Sequence, residues 1–247
     1  MIEITGATKV FGKGRTEIRA VDEVNLLVKE GEFVLIMGRS GSGKSTLLGI
    51  IAGLIAPTTG VVNISGRDIN AIPEDQGSEM RAKTLGFVFQ FSGLIPTLTV
   101  TENVMLPSLF CKDTQDCGSR VASLLEKVGM SDRADAYPHT LSSGEMKRVA
   151  IARALVNNPL ILIADEPTGD LDVDTEYEIM ELFKSINDEG TTIVMVTHNP
   201  DLAPYASKTY LMKQGNLVEM TSPSPSPKVM PHPALHRRSE EFPWTGR

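Results

Sequence analysis

Three short, almost wholly apolar runs constrain this chain more than any other feature: FVLIM at 33–37, LILIA at 160–164 and TIVMV at 192–196. None approaches the roughly 18 to 20 residues that cross a bilayer. A strand that is apolar on both sides must be covered on both faces, which is the habit of parallel sheets flanked by helices. Helical periods separate these runs. Val121, Leu124, Leu125 and Val128 repeat at i, i+3, i+4 and i+7, with Gly129 as a stop. Residues 173–189 read as an amphipathic helix with Val173, Tyr177, Met180 and Phe183 on one face. Further strands are read at IEIT (2–5), VNLLVKE (24–30), GVVNISG (60–66) and GFVFQ (86–90). KTYLM and NLVEM form a closing hairpin around Gly215. The pattern predicts an α/β fold with a largely parallel sheet, whose chemistry sits beyond the carboxyl ends of the strands.

The 247 residues, 41% hydrophobic, suffice for one full core with a subdomain attached. Lys and Arg total 24 against 31 Asp and Glu, a formal charge of −7. That balance argues against a nucleic-acid partner, which needs a basic footprint, and against general adhesion to anionic lipid. MIEITGATKV lacks a basic stretch followed by an apolar one, so no secretory leader is expected. Work at a membrane would need another polypeptide as anchor. Cys111 and Cys117 lack metal-type spacing and read as free thiols of a reducing compartment. Residues 221–247 are rich in Pro and Ser and read as a disordered or extended tail. A docking peptide anchored by Phe242 and Trp244 is the other reading of that tail.

FVLIM runs into Gly38-Arg-Ser-Gly-Ser-Gly-Lys44-Ser45, a G-x-x-x-x-G-K-[ST] pattern, and the helical TLLGIIAGLI follows. Gly38, Gly41 and Gly43, with Ser40 and Ser42 between them, allow the backbone to wrap a phosphate with its N–H groups inward. The helix aims its positive N-terminal end at the anion. Lys44 adds a point charge, the Ser45 hydroxyl can complete a Mg²⁺ sphere, and Thr46 can donate to the α-phosphate.

Asp165 and Glu166 end LILIADE. Neighbouring strand residues point to opposite sides, so one carboxylate can face Mg²⁺ while the next faces the γ-phosphate. Asp165 is then the metal ligand and Glu166 the general base; the bland alternative is an acidic pair capping the next turn. Gln90, at the end of GFVFQ, can coordinate Mg²⁺ or water through its amide oxygen. His198, at the end of TIVMVTH, can bond the γ-phosphate. Each is also compatible with a structural role. LSSGEMKRVAIARAL at 141–155 reads as a helix after a Ser-Ser-Gly turn. It is either an ordinary capped helix or a second anion site. Two phosphate-binding helix ends in one chain are most simply used by a head-to-tail pair of copies. Each nucleotide is then held between the loop of one copy and Ser142 and Gly144 of the other.

Together these motifs, in this order over residues 1–220, resemble the ABC ATPase family. GRSGSGKST at 38–46 is similar to its Walker A, Gln90 to its Q-loop and LSSGE at 141–145 to its signature. ILIADE at 161–166 is similar to Walker B, GDLD at 169–172 to the D-loop and His198 to the switch histidine. Phe11 is similar to the aromatic that stacks on adenine, though a plain core aromatic is the equal alternative. The resemblance implies a P-loop NTPase fold with a RecA-like parallel core (1–90 and 158–220), an antiparallel β subdomain and a helical subdomain (91–157). It implies ATP and Mg²⁺ as ligands, a homodimer closed over ATP, and an integral-membrane permease partner at the cytoplasmic face. Residues 164–172 and 87–107 resemble the lipoprotein-releasing and macrolide-export branch, with the cell-division ATPase nearby, which implies export or release.

Two positions depart from the family pattern within this match. Ser143 replaces the first of the two signature glycines, where a Cβ crowds the γ-phosphate or shifts the turn. Arg39 stands where the branch often has proline. The long coiled-coil insertions or second ATPase module of DNA-repair and ribosome-acting members are not seen. An ATPase that gates a membrane partner without transport, as in cell division, is the alternative, and an importer subunit a further one.

Overall fold

The structure, a computed structural model, describes residues 2–12, 14–111 and 117–220; the tail with Phe242 and Trp244 lies outside them. Two sheets organise the chain. An antiparallel sheet of order β2-β1-β4-β5 is built from β1 (Ile2–Phe11), β2 (Ile18–Val28), β4 (Thr59–Ile64) and β5 (Arg67–Asp68). The second has the order β10-β9-β3-β8-β7-β6. It comprises β3 (Phe33–Met37), β6 (Leu85–Val88), β7 (Ile161–Asp165), β8 (Thr192–Thr197), β9 (Lys208–Lys213) and β10 (Asn216–Met220). Its strands are parallel except β10, which pairs antiparallel with β9 through the turn at Gly215. The fold is therefore the α/β architecture with a largely parallel sheet that the apolar runs predicted, and it agrees with the P-loop class that the resemblance implied.

The two faces of this second sheet carry separate cores, divided by the period-2 alternation of the strands. Val34, Ile36, Ile161, Ile163, Val194 and Val196 face the antiparallel sheet and helix α1 (Lys44–Ile51). Leu35, Leu162, Ala164, Ile193 and Met195 face the other way. There they meet side chains of α3 (Val100–Met105), α4 (Cys117–Lys127), α5 (Ser143–Leu155) and α6 (Val173–Asp188). Helix α2 (Glu74–Thr84) leads into β6.

Helix α4 stops as the sequence predicts. Gly129 adopts φ +70°, Met130 N–H bonds Leu125 O at 2.7 Å and Gly129 N–H bonds Glu126 O at 3.0 Å. This is the left-handed C-terminal cap that glycine favours. Helix α6 differs from the expected face. Met180 and Phe183 are buried with Ile179, Leu182 and Ile186, but Val173 and Tyr177 are 77% and 51% exposed. Ile179, Leu182, Phe183 and Ile186 set the core-facing stripe, and at about 3.6 residues per turn Val173 and Tyr177 fall outside it around the helix.

Gly86 of β6 sits where a Cβ would come within 2.4 Å of Ala154 O and 3.0 Å of Pro159 Cγ and Leu162 Cδ1. The close approach lets the edge strand lie directly under the end of α5. Gly86→Ala is expected to lower unfolding free energy by about 1–3 kcal/mol through overpacking. Urea denaturation measures it, and an unchanged midpoint would show that β6 can move off α5 without cost.

Candidate active site

Parallel register delivers three chain segments to one sheet edge. Met37 pairs with Thr197 and Val196 with Asp165, so Gly38, His198 and Glu166 all leave the sheet side by side. The loop after β3 is tight. Gly41 and Gly43 have φ +76° and +107°. A Cβ on Gly43 would lie 2.0 Å from Ala20 O, and one on Gly38 would lie 2.4 Å from Met212 O. The antiparallel sheet and the β9–β10 hairpin therefore wall the loop, and Gly215 N–H bonds Ser42 O at 3.0 Å.

Several features fit this loop to an anion. No side chain caps the start of α1 at Gly43, so its first N–H groups keep their full partial charge. The Ser42 hydroxyl is buried without a hydrogen-bond partner among the described residues, an arrangement a structural turn would avoid. Lys44 is 6% exposed, and its ammonium donates to Gly38 O at 2.7 Å and Arg39 O at 3.3 Å. Ser40 and Arg39 are exposed at the crest of the loop. Arg39 leaves the glycine geometry intact.

Opposite the loop, Lys44 Nζ lies 3.2 Å from Glu166 Oε1 and His198 Nδ1 contacts Glu166 Oε2. One carboxylate thus joins the loop lysine to the histidine. The Ser45 hydroxyl donates to Asp165 Oδ1 at 3.3 Å. The two acids separate as predicted, but strand alternation is not the whole cause. Asp165 is the last residue of β7, whereas Glu166 has left-handed backbone, φ +47°. That conformation is strained for a residue with a side chain. Among the described residues no group of three or more His, Cys, Asp or Glu side chains could hold a metal alone. One carboxylate and one hydroxyl suit a Mg²⁺ that takes its other ligands from phosphate and water.

The profile described as ABC transporter matches residues 21–169. The chain belongs to the ABC transporter family of ATP-binding proteins. It is 48% identical over 221 residues to an ABC transporter ATP-binding protein of Methanocaldococcus jannaschii, covering 89% of this chain and 99% of that one. It is 41% identical over 219 residues to the macrolide export ATP-binding/permease protein MacB of Chlorobaculum tepidum. That match covers 89% of this chain and only 34% of the exporter. Among solved structures, the ATP-binding cassette MJ0796 in a dimeric, post-hydrolysis state with ADP and Pi superposes with a TM-score of 0.81. The identity is 41%, over 89% of this chain and 98% of that chain. As a member of this family the chain is an ATPase.

The remaining predicted residues of this ABC ATPase are placed as follows. Gln90 is exposed and lies two residues past the end of β6, on a loop rather than at the strand end. Phe11 ends β1, 43% exposed, with the Lys9 ammonium over its ring at 5.3 Å. It is not a core aromatic. Thr46 lies in the first turn of α1. Ser142 is the N-cap of α5, and its hydroxyl accepts from Glu145 N–H in a capping box. Ser143 and Gly144 are therefore inside the helix and not in a preceding turn. Ser143 is exposed and leaves the box intact, so its Cβ does not shift the turn. Gly144 is the crowded position, where a Cβ would meet Thr175 Cγ2 at 2.6 Å.

One buried and one half-buried cation were not anticipated from the sequence. Lys147 is 5% exposed and donates to Gln90 O at 2.6 Å and Phe89 O at 3.3 Å. Arg153 donates to Gly93 O at 2.7 Å and Ser92 O at 2.6 Å. Burial pushes both pKa values down. The available signal was Lys147 at i−4 from Ile151, on the buried stripe of α5. No sequence rule says which carbonyls such a lysine finds.

Burial raises the Asp165 carboxyl above its ordinary value, with the Glu166 charge adding to the rise against the Ser45 bond and Lys44. An acid whose folded pKa is raised binds protons more tightly when folded, so its ionised form costs stability at neutral pH. Asp165→Asn keeps the acceptor for Ser45. We expect a higher thermal midpoint at pH 7 and a gap from wild type that closes as pH falls through the raised pKa toward the ordinary carboxylate range. A gap independent of pH would disprove the burial account.

Proposed function

We propose that this chain is the ATP-hydrolysing motor of a membrane permease, working as two copies that close head to tail over Mg·ATP. The observation that carries the reading is the Glu166 carboxylate held between Lys44 and His198, beside the Ser45–Asp165 contact. In this reading the N–H groups of the 38–46 loop cradle the phosphates, and Phe11 stacks on adenine. Ser45, Asp165 and Gln90 hold Mg²⁺, which when bound neutralises charge on the phosphate oxygens. Lys44 binds the β- and γ-phosphates and so gives up Glu166 Oε1. Glu166 then accepts a proton from the attacking water at that oxygen, and His198 bonds the γ-phosphate and keeps Oε2 oriented.

The separation of the two cores supports the two-copy reading. Helix α1 stands on one face of the parallel sheet and α5 on the other. The start of α5 is therefore carried on the opposite layer from the loop, with Ser142 exposed for a second copy to use and Gly144 buried beside Thr175. The dimeric cassette with ADP and Pi is a precedent for such a pair. A permease partner agrees with the relatives' names, and no described helix is long and apolar enough to cross a membrane. Phe89 and Phe91, 47% and 74% exposed on either side of Gln90, offer apolar surface next to the nucleotide sensor. We assign export or lipoprotein and peptide release as the task, on the likeness of residues 87–107 and 164–172 to that branch, at the cytoplasmic face of the membrane.

Glu166→Gln keeps the shape and removes the base. Turnover is expected to fall about 10²- to 10⁴-fold, while ATP still drives dimer formation in light scattering. Hydrolysis at the wild-type rate would refute the role of Glu166. Dimerisation that ignores ATP would refute the shared site.

A further inference from the structure

The acid–histidine pair stands on two short segments that need bracing from behind. Glu166 occupies left-handed backbone, held by its N–H to Val196 O at 3.0 Å and by Gly169 N–H to its own carbonyl at 3.3 Å. Strain of that kind persists only where the surroundings over-determine it. His198 lies just past β8, its side chain 63% exposed, so its position is set mainly by the residues on either side.

Both segments converge on one carboxylate of α6. Thr168, two residues after Glu166 and 4% exposed, donates its hydroxyl to Glu176 Oε1 at 2.6 Å. Asn199, next to His198, donates Nδ2 to Glu176 Oε2 at 3.0 Å. The Asn199 amide cannot turn round, because its Oδ1 accepts from Asp201 N–H at 3.0 Å. The turn after Glu166 is also tied by Leu171 N–H to Thr168 O at 3.1 Å. Fixing Thr168 therefore fixes the turn that begins at Glu166. The helix start is rigid, because Asp172 caps it through Thr175 N–H at 3.0 Å and Thr175 Oγ1 at 2.7 Å.

We propose that Glu176 is a positioning residue for hydrolysis: its carboxylate clamps Thr168 and Asn199 and so sets Glu166 and His198 relative to each other. The proposal rests on the reading of Glu166 as the base. Glu176 acts through its two partners and not on phosphate or water. Its effect is on how often the pair is aligned, so it enters kcat and leaves ATP affinity to the loop.

The clamp can be tested by moving its charge. Asn199→Asp keeps the acceptor for Asp201 but replaces the donor toward Glu176 with a second carboxylate oxygen. The clamp should open, with kcat down roughly 10- to 100-fold and ATP affinity unchanged. Adding Glu176→Gln transposes amide and carboxylate. The new amide donates to the carboxylate introduced at position 199 and accepts from Thr168, so the double variant should regain most of the lost kcat. Steady-state ATPase assays and nucleotide titration of the purified chain give both numbers. Wild-type kcat in Asn199→Asp, a loss seen only in ATP affinity, or a loss that Glu176→Gln does not reverse each overturns the proposal. Glu166→Gln measured alongside separates the two claims. Turnover that survives Glu166→Gln means the base itself is misassigned, whereas its loss together with a silent Asn199→Asp discards only the clamp.

Discussion

Everything at this site depends on parallel pairing of β3, β8 and β7 in one register. Met37, Thr197 and Asp165 end their strands nearly level, so a loop, a histidine and a carboxylate from distant parts of the chain emerge together. The register is held by apolar side chains on both faces, with alternate residues of each strand committed to different cores. A slip of one residue would exchange the two sets at once. That two-sided commitment is why so short a strand as FVLIM can aim Lys44 at Glu166.

The polar groups placed at this edge oppose stability. Asp165 is pushed toward its neutral form by burial, Glu166 holds a strained backbone and the Ser42 hydroxyl is buried without a partner among the described residues. Burial of unpaired polar groups costs free energy that the apolar cores must offset. The same tension extends to α5. Lys147 and Arg153 are satisfied by backbone carbonyls of residues 89–93, which ties the helix that begins at Ser143 to the loop carrying Gln90. A shift of that loop must therefore be felt by α5, because breaking those bonds would leave the buried Lys147 and the half-buried Arg153 without acceptors.

Much of the candidate site was legible because its parts are local. The glycine spacing from 38 to 43 is needed by backbone geometry within six residues, and Asp165, Glu166 and His198 follow directly from buried strands. Gln90 lies two residues beyond the strand it was expected to end, because nothing in GFVFQ marks pairing as ending at Val88. The face of α6 differs at Val173 and Tyr177, because the stripe that reaches the core runs through Ile179, Leu182 and Ile186, rotated around the helix from the one those two residues define. The signature segment was read as a turn before a helix, although Ser142 and Glu145 already form the S-x-x-E box that starts a helix at Ser143.

The sequence alone determined the fold class, the strand that feeds the phosphate loop and the residue types offered to an anion, because these follow from apolar periodicity and from backbone freedom at glycine. Only the tertiary structure decided that Lys44 and His198 share Glu166, that Gly144 is closed off by Thr175, and that Glu176 joins Thr168 to Asn199. Those contacts link residues from separate elements, and their existence rests on how strands and helices pack in space. Hydrogen-bond partners at such separations leave no period or spacing in the chain from which they could be read.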